Sequence, residues 1–185
     1  GTPALTTVAN HIVAGRIGDA IELTGDDSVS IPGAGHYARH DPFSVSLWIW
    51  SADVQKRAVI YRRSRGWDDA GSIGYELTKE GGILSAKMCH FWPGDAIAVE
   101  TKQPIEAERW YHVVVTYDGS SRAAGLKIYL AGPPTDCVVV QDHLTRYVTI
   151  WRGGCPALAL GSRAGDRGFA GGRVEVCQGV ARQLR

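Results

Sequence analysis

The segment Phe43–Trp50 restricts the fold of this chain more than any other part of the sequence. Every second residue from Phe43 to Ile49 is apolar, and the positions between and after them are two serines followed by Trp48 and Trp50. Because successive side chains of a strand point to opposite faces, this period of two predicts a β-strand. The tryptophans indicate that the second face is also covered, by a loop, a partner or a ligand. We therefore predict a strand in the middle of a sheet.

Short apolar stretches recur along the chain and are separated by turns that contain glycine, proline or aspartate. No long stretch shows a period of 3.6, and 23 of the 185 residues are glycine. We predict an all-β chain that folds over residues 1–185 as one domain, a two-sheet antiparallel β-sandwich. The strands at 17–23 and 28–31 are expected to form a hairpin, and those at 110–117 and 125–130 to be central. The other predicted strands lie at 43–50, 58–62, 73–78, 83–90, 97–101, 137–141, 157–160 and 173–176.

The charge balance argues against two classes of partner. With 20 Lys+Arg against 19 Asp+Glu, the formal net charge of +1 gives no general reason to bind nucleic acid or an anionic membrane surface. No apolar stretch approaches the roughly 18–20 residues that span a bilayer, so we predict no direct membrane insertion. One basic cluster lies close to Trp67, and we interpret it as a charged edge strand rather than a nucleic-acid surface. The cluster consists of Arg57, Arg62, Arg63 and Arg65.

The four cysteines leave two interpretations open. Cys89, Cys137, Cys155 and Cys177 lie far apart and form no C-x-x-C pair, so the sequence does not indicate a zinc ribbon or a redox motif. In an oxidising compartment, a bridge between Cys137 and Cys155 would close a short loop and stabilise the fold by roughly 3 kcal/mol. Alternatively, all four are small buried residues with free thiols.

Four segments of the sequence, taken in order, resemble a known family. They are 20–32, 43–50, 110–119, and 160–163 leading to 169–172. Together they resemble the laminin G-like branch of the concanavalin A-like lectin/glucanase superfamily. The resemblance implies a jelly-roll β-sandwich.

A narrower resemblance concerns the cellular setting. The stretch from 92–94 through 101–104 to 124–129 is similar to the laminin G-like module of planctomycete-type cytochrome-associated multidomain proteins. This implies an accessory module of an extracytoplasmic protein, located in the periplasm, at the cell surface or outside the cell. The first residues, Gly1-Thr2-Pro3, show neither an initiator Met nor a signal peptide, so we expect a segment excised from a larger protein.

Catalysis is not expected from the acidic residues. Glucanases of this superfamily carry a Glu-x-Asp-x-(x)-Glu strand, because two carboxylates must flank the scissile bond. That strand is absent here, as are a nucleophile elbow, a phosphate-binding glycine loop and a zinc-binding helix. We therefore predict a non-catalytic chain and keep a degenerate glycoside hydrolase as an alternative.

Binding is the function that the loops favour. Sugars are recognised by an aromatic face beneath the ring and by polar groups that hold the hydroxyls, and two predicted loops carry both kinds of residue beside the concave sheet. We predict a glycan or another domain of the parent protein as the ligand. The alternative is a purely structural spacer, in which these tryptophans cap the edges of the sandwich. The predicted ligand-binding residues are Trp67, Asp68, Asp69, His90, Trp92 and Asp95.

Calcium is the metal to expect in a fold of this kind, because related lectins bind it through hard oxygen ligands. The plausible carboxylates are Asp26, Asp27 and Asp166. Aspartates in glycine-rich turns also have a purely conformational role, so both interpretations stay open. The only asparagine is Asn10, which removes the side-chain amide that often orients sugars and completes calcium sites.

Overall fold

The computed structural model describes residues 10–65, 72–149, 157–161 and 168–182, and these contain thirteen β-strands. Within these ranges the only helix is a 3-10 turn at Ala123–Gly125, and no helix is long and apolar enough to cross a membrane. The strands are β1 (His11–Ala14), β2 (Asp19–Leu23), β3 (Val29–Ile31), β4 (Phe43–Ser51), β5 (Ala58–Arg65), β6 (Ile73–Glu80), β7 (Ile83–Phe91), β8 (Asp95–Thr101), β9 (Tyr111–Tyr117), β10 (Leu126–Leu130), β11 (Cys137–His143), β12 (Leu158–Leu160) and β13 (Gly172–Val180).

The strands form two antiparallel sheets that pack face to face. The six-stranded sheet has the order β1-β2-β13-β4-β9-β10, and the seven-stranded sheet has the order β11-β8-β7-β6-β5-β12-β3. The predicted all-β sandwich is therefore confirmed. Its core lies between the sheets, because each strand turns alternate apolar side chains inward.

Strand β4 has the central place that its alternation predicts. It pairs with β13 on one side and β9 on the other, and Phe43, Val45, Leu47 and Ile49 are at most 1% exposed. Burying each of these side chains contributes roughly 1.5–3 kcal/mol relative to leaving it in water. The intervening positions form the outer face of the six-stranded sheet, where Trp48 and Trp50 are half-buried.

The predicted hairpin between the first two apolar stretches is wrong. Strand β2 pairs with β1 and β13 in one sheet, whereas β3 pairs with β12 in the other. The turn between them takes the chain across the sandwich. Gly25 has a φ of 94° and packs against Ala170 so closely that a Cβ atom would lie 2.8 Å from the Ala170 side chain. A glycine is needed at such a position, but its presence does not reveal which strands the turn joins.

Two other expectations about strand position are also corrected. The arginine-rich strand β5 is not an edge strand, since it lies between β6 and β12. Arg63 is only 3% exposed, and its guanidinium contacts the Nδ1 atom of His36 at 2.7 Å, so the charge is accommodated inside the fold. Strand β9 is central as predicted, but β10 lies at the edge of its sheet.

The cysteines that the structure describes are not bridged to one another. Cys89, Cys137 and Cys177 form no disulfide among themselves. Cys155 lies outside the described residues, so the Cys137–Cys155 bridge stays a prediction. Burial raises the pKa of the Cys177 thiol to about 11, which keeps it protonated and unreactive at neutral pH.

Candidate functional site

A cavity of about 290 Å³ opens on the outer face of the seven-stranded sheet. Register places Thr78, Ser85 and Glu100 side by side on β6, β7 and β8. They alternate with core residues, so they face away from the core. We call this the Trp92 cavity; its described lining residues are Arg57, Thr78, Glu80, Ile83, Ser85, Lys87, Trp92 and Glu100.

A buried ion pair supports the tryptophan of this cavity. The Lys87 ammonium lies 4.9 Å from the centre of the Trp92 ring and 2.8 Å from a carboxylate oxygen of Glu76. The second oxygen of Glu76 accepts a hydrogen bond from the Ser64 hydroxyl at 3.0 Å. The side chains of Lys87 and Glu76 are 6% and 1% exposed, so the two opposite charges compensate each other away from bulk water. The pair and the indole together form one side of the site.

His90 and Asp95 are close to Trp92 in sequence but have different neighbours. The His90 ring contacts the Tyr147 carbonyl oxygen at 2.8 Å. The Asp95 carboxylate accepts hydrogen bonds from the Thr145 amide at 2.6 Å and from the Thr145 hydroxyl at 2.9 Å. Desolvation raises the pKa of Asp95, but these donors and the Arg146 amide outweigh it and hold the pKa below its ordinary value. Both residues thus anchor the segment after β11, and neither is among the described lining residues of the Trp92 cavity.

The remaining predicted ligand-binding residues lie outside the described part of the chain. These are Trp67, Asp68 and Asp69. Of the three described residues that were predicted to bind a ligand, Trp92 lines the cavity, whereas His90 and Asp95 do not.

The predicted calcium ligands are only partly described. Asp166 lies outside the described residues, Asp26 is exposed and Asp27 is half-buried. Asp26 lines a cavity that it shares with Asp53 and Lys79. Within the described ranges no three acidic, histidine or cysteine side chains are grouped as metal ligands, and the ammonium of Lys79 already binds the backbone oxygens of Asp53 and Lys56 at 2.6 and 2.7 Å. The described residues do not assemble a calcium site by themselves, so the set with Asp166 stays a prediction.

Sequence reasoning missed most of the polar residues in the Trp92 cavity. Thr78, Ser85 and Glu100 belong to three strands, and each is an unremarkable polar position of an alternating pattern. They form a site only because the register of β6, β7 and β8 aligns them. The alternation predicts that they face outward, but the register could not be read from one sequence.

Glu175 is a second residue whose role the sequence did not reveal. Its carboxylate accepts hydrogen bonds from the backbone amides of Arg16, Ile17 and Gly18 at 2.5, 2.9 and 2.6 Å, and the residue is 3% exposed. Desolvation raises the pKa of Glu175, but the three amide donors outweigh it and hold the pKa below its ordinary value. Successive amides that converge on one anion form a nest, here occupied by the chain's own side chain. Glu175 therefore secures the β1–β2 turn.

Solved structures with the same architecture confirm the fold at low sequence identity. The binding domain of Paraclostridial Mosquitocidal Protein 1 matches with a TM-score of 0.67 and 16% identity, over 100% of this chain and 45% of that one. The binding domain of botulinum neurotoxin serotype G matches with a TM-score of 0.64 and 11% identity, over 100% and 45%. A mutant Trypanosoma rangeli sialidase that displays trans-sialidase activity matches with a TM-score of 0.60 and 13% identity, over 95% and 28%. The chain thus spans less than half the length of these proteins.

The fold and the Trp92 cavity define a class, that of antiparallel β-sandwiches with a polar depression on the outer face of the larger sheet. The family comparison is more specific. The profile of the laminin G-like family, described as concanavalin A-like lectin/glucanases superfamily, matches residues 23–175. The chain belongs to this superfamily, as the four sequence segments predict. No curated protein matches the sequence at a significant level.

Proposed function

We propose that this chain is a non-catalytic module that binds carbohydrate in the Trp92 cavity. The observation that carries the proposal is the half-buried indole of Trp92 at the wall of a polar cavity. An aromatic ring of this kind supplies the flat apolar surface against which the C–H face of a sugar packs. The similar structures named as binding domains show that the fold is used in proteins with that title, and they support a binding role here by analogy.

The lining groups suit a neutral, hydroxyl-rich ligand. Thr78 and Ser85 contribute hydroxyls, Glu80 and Glu100 contribute acceptors, and Arg57 contributes donors. Both signs of charge are present, so the cavity has no strong preference for an ion of either sign. Its volume of about 290 Å³ is close to the lower limit for small-molecule sites, which span roughly 300–1,000 Å³. A short stretch of a neutral glycan therefore fits better than a large or highly charged ligand.

The cavity is also held in place before a ligand arrives. Trp92 is positioned over Lys87, whose ammonium is fixed by Glu76, and Glu76 is in turn bound by Ser64. Side chains that are already ordered lose little entropy when a ligand binds.

A glycan array followed by calorimetric titration of the best oligosaccharide tests the proposal. Trp92→Ala is expected to weaken binding by roughly tenfold or more, since it removes the stacking surface. Trp50→Ala is the matched control, because Trp50 is half-buried on the outer face of the other sheet, 4.5 Å beneath the guanidinium of Arg173. If no glycan binds, or if both variants weaken binding equally, the proposal is wrong and a protein-binding or purely structural role replaces it.

A degenerate glycoside hydrolase is the second candidate. The observation in its favour is that two carboxylates, Glu80 and Glu100, line the same cavity, as a glycosidase would require. Incubation with labelled oligosaccharides decides between the two. Product that forms with the native protein and is abolished by Glu100→Gln or Glu80→Gln would replace binding with catalysis.

The setting of the module is part of the proposal. We place it in an extracytoplasmic multidomain protein, where it engages glycan or neighbouring domains, with calcium as a further ligand of Asp26, Asp27 and Asp166. A rise in melting temperature with calcium that EDTA reverses, and that Asp27→Asn abolishes, supports the metal. No change in melting temperature would remove calcium from the proposal without affecting the Trp92 cavity.

A further inference from the structure

A second cavity, of about 320 Å³, lies where three loops meet beside the start of β4 and the end of β9. One loop precedes β4, one follows β9, and the third continues from the end of β11. We call it the loop cavity. Its described lining contains two arginines, two histidines and two serines but no carboxylate: Arg39, His40, Arg122, His143, Ser120 and Ser121.

The basic side chains of the loop cavity lack the carboxylate partners that other basic side chains of this protein have. Neither Arg122 nor His143 makes a side-chain hydrogen bond or ion pair with the residues that the structure describes. Arg39 uses two of its five N–H donors, one on the Leu144 carbonyl at 3.3 Å and one on His40 at 2.8 Å, and so retains others. By contrast, Lys56, Lys87, Arg109, Arg146 and Arg173 each lie within 4 Å of a carboxylate oxygen.

Two nearby aspartates do not neutralise this positive charge directly. Asp118 accepts a hydrogen bond from the Ser120 amide at 2.8 Å, and Asp142 accepts one from the Ala123 amide at 2.7 Å. Both carboxylates are therefore engaged with backbone donors of the loop after β9, and neither is paired with Arg122.

The walls of the loop cavity are fixed by hydrogen bonds between the loops. The Tyr117 hydroxyl donates to the Arg39 carbonyl at 2.6 Å and accepts from the Ser121 amide at 2.7 Å. Gly119 packs so tightly on the His40 carbonyl that a Cβ atom would lie 2.5 Å from its oxygen. The site is therefore organised without a ligand, which reduces the cost of binding one.

A buried hydroxyl in the same place has no partner. The Oγ atom of Ser121 is buried, and within the described part of the chain it makes no hydrogen bond. Buried polar atoms are almost always hydrogen-bonded, so an unsatisfied donor at a cavity wall requires an explanation. An acceptor atom of a ligand would provide one.

We propose that the loop cavity binds an oxyanion, namely a sulfate, phosphate or carboxylate group carried by a ligand. Planar guanidinium groups match the geometry of oxyanions, and the Ser121 hydroxyl adds a neutral donor. The site is separate from the Trp92 cavity, because the two share no described lining residue, and the Trp92 cavity includes the carboxylates of Glu80 and Glu100 whereas the loop cavity has none. The loop cavity would therefore recognise a negatively charged group independently of the neutral glycan proposed for the Trp92 cavity.

Chemical-shift titration with small probes tests this site. The probes are inorganic sulfate, glucose 6-sulfate, glucose 6-phosphate, glucuronic acid and neutral glucose. We expect the oxyanion probes to shift the backbone amides of Ser120–Arg122 and His143, and glucose to leave them unchanged. Arg122→Ala should weaken binding roughly tenfold or more, because a charge-assisted hydrogen bond is lost. Arg109→Ala is the matched control, since Arg109 is also exposed and pairs only with Glu106 among the described carboxylates.

The outcomes of the titration distinguish a charged group on a glycan from a simple anion, and both from the absence of an oxyanion site. Tighter binding of one charged sugar than of inorganic sulfate supports a glycan-borne group and identifies it, whereas equal binding supports a simple anion. No shift at these amides with any oxyanion probe, equal shifts with neutral glucose, or equal losses in the two arginine variants would overturn the proposal. Arg122→Lys should retain part of the affinity, because the charge remains while the bidentate geometry is lost.

Discussion

Removing the Lys87 charge should be among the most damaging single changes on the outer face of the seven-stranded sheet. In Lys87→Met the long apolar stem is retained beside Trp92, but the carboxylate of Glu76, only 1% exposed, loses its ammonium partner at 2.8 Å. The Ser64 hydroxyl still donates a hydrogen bond to this carboxylate, at 3.0 Å. Breaking a buried pair by removing one partner costs about 3–5 kcal/mol, because the other charge stays in a poorly solvated place.

Removing both charges should cost much less than removing one. In Lys87→Met combined with Glu76→Leu neither charge of this pair remains, and replacing a buried ion pair with apolar residues is often neutral or stabilising by about 1–4 kcal/mol. The coupling energy of the pair is obtained from urea unfolding of the two single variants and the double variant. Their free energies of unfolding are compared with one shared m-value, the slope of the free energy against urea concentration. Lys56→Met is the matched control, because Lys56 and Asp53 form an ion pair at 3.6 Å whose side chains are 82% and 43% exposed.

Two results would refute this reasoning. If Lys87→Met unfolds with nearly the free energy of the native protein, water reaches Glu76 and the pair is not buried in solution. If the double variant loses the sum of the two single losses, the side chains stabilise the fold independently and the electrostatic argument fails.

Three further predictions concern stability. Leu47→Ala, at a core position that is 0% exposed, should cost about 3 kcal/mol and lower the melting temperature by roughly 10 °C in calorimetry; a change of under a degree would contradict the central place of β4. Tyr117→Phe should cost about 1–3 kcal/mol in urea unfolding, because the Arg39 carbonyl and the Ser121 amide lose their shared partner, and unchanged stability would mean that water replaces the hydroxyl. Glu175→Gln should lower the melting temperature at pH 7. Since the pKa of Glu175 is depressed in the folded state, its contribution is present above the ordinary glutamate range, about 4.3, and is lost as the pH falls; the variant should therefore show a shallower loss of stability between about pH 5 and pH 3, and parallel profiles would exclude that role.

The parts of the fold that the sequence predicted are those fixed by local alternation. Strand β4 could be assigned with its inward and outward faces because Phe43, Val45, Leu47 and Ile49 repeat at a period of two. Which strands pair with each other was harder to predict from the sequence, because β2 and β3 are adjacent in sequence but lie in different sheets. The same local pattern is compatible with a hairpin and with a crossing between sheets.

At the candidate site, too, the local sequence did not predict which side chains come together. Trp92 was identified as a loop aromatic, and the structure brings it to a cavity, whereas His90 and Asp95 bind the segment at residues 145–147. Composition and proximity in sequence do not distinguish a ligand-binding carboxylate from one that anchors a loop. Arg63 gives a similar lesson, because its charge predicted an exposed strand, whereas the side chain is buried and contacts His36, which is distant in sequence.

The position of β13 has a consequence for the kinetics of folding. This strand lies between β2 and β4, and residues 21–23 pair with residues 172–174, so the six-stranded sheet cannot close until nearly all of the described chain is present. Contacts between such distant residues make folding slow, and until they form, the facing edges of β2 and β4 present unpaired amides and carbonyls. During synthesis on the ribosome, another β-strand would insert most readily between the unpaired edges of β2 and β4. That strand could come from a second copy or from a neighbouring nascent segment.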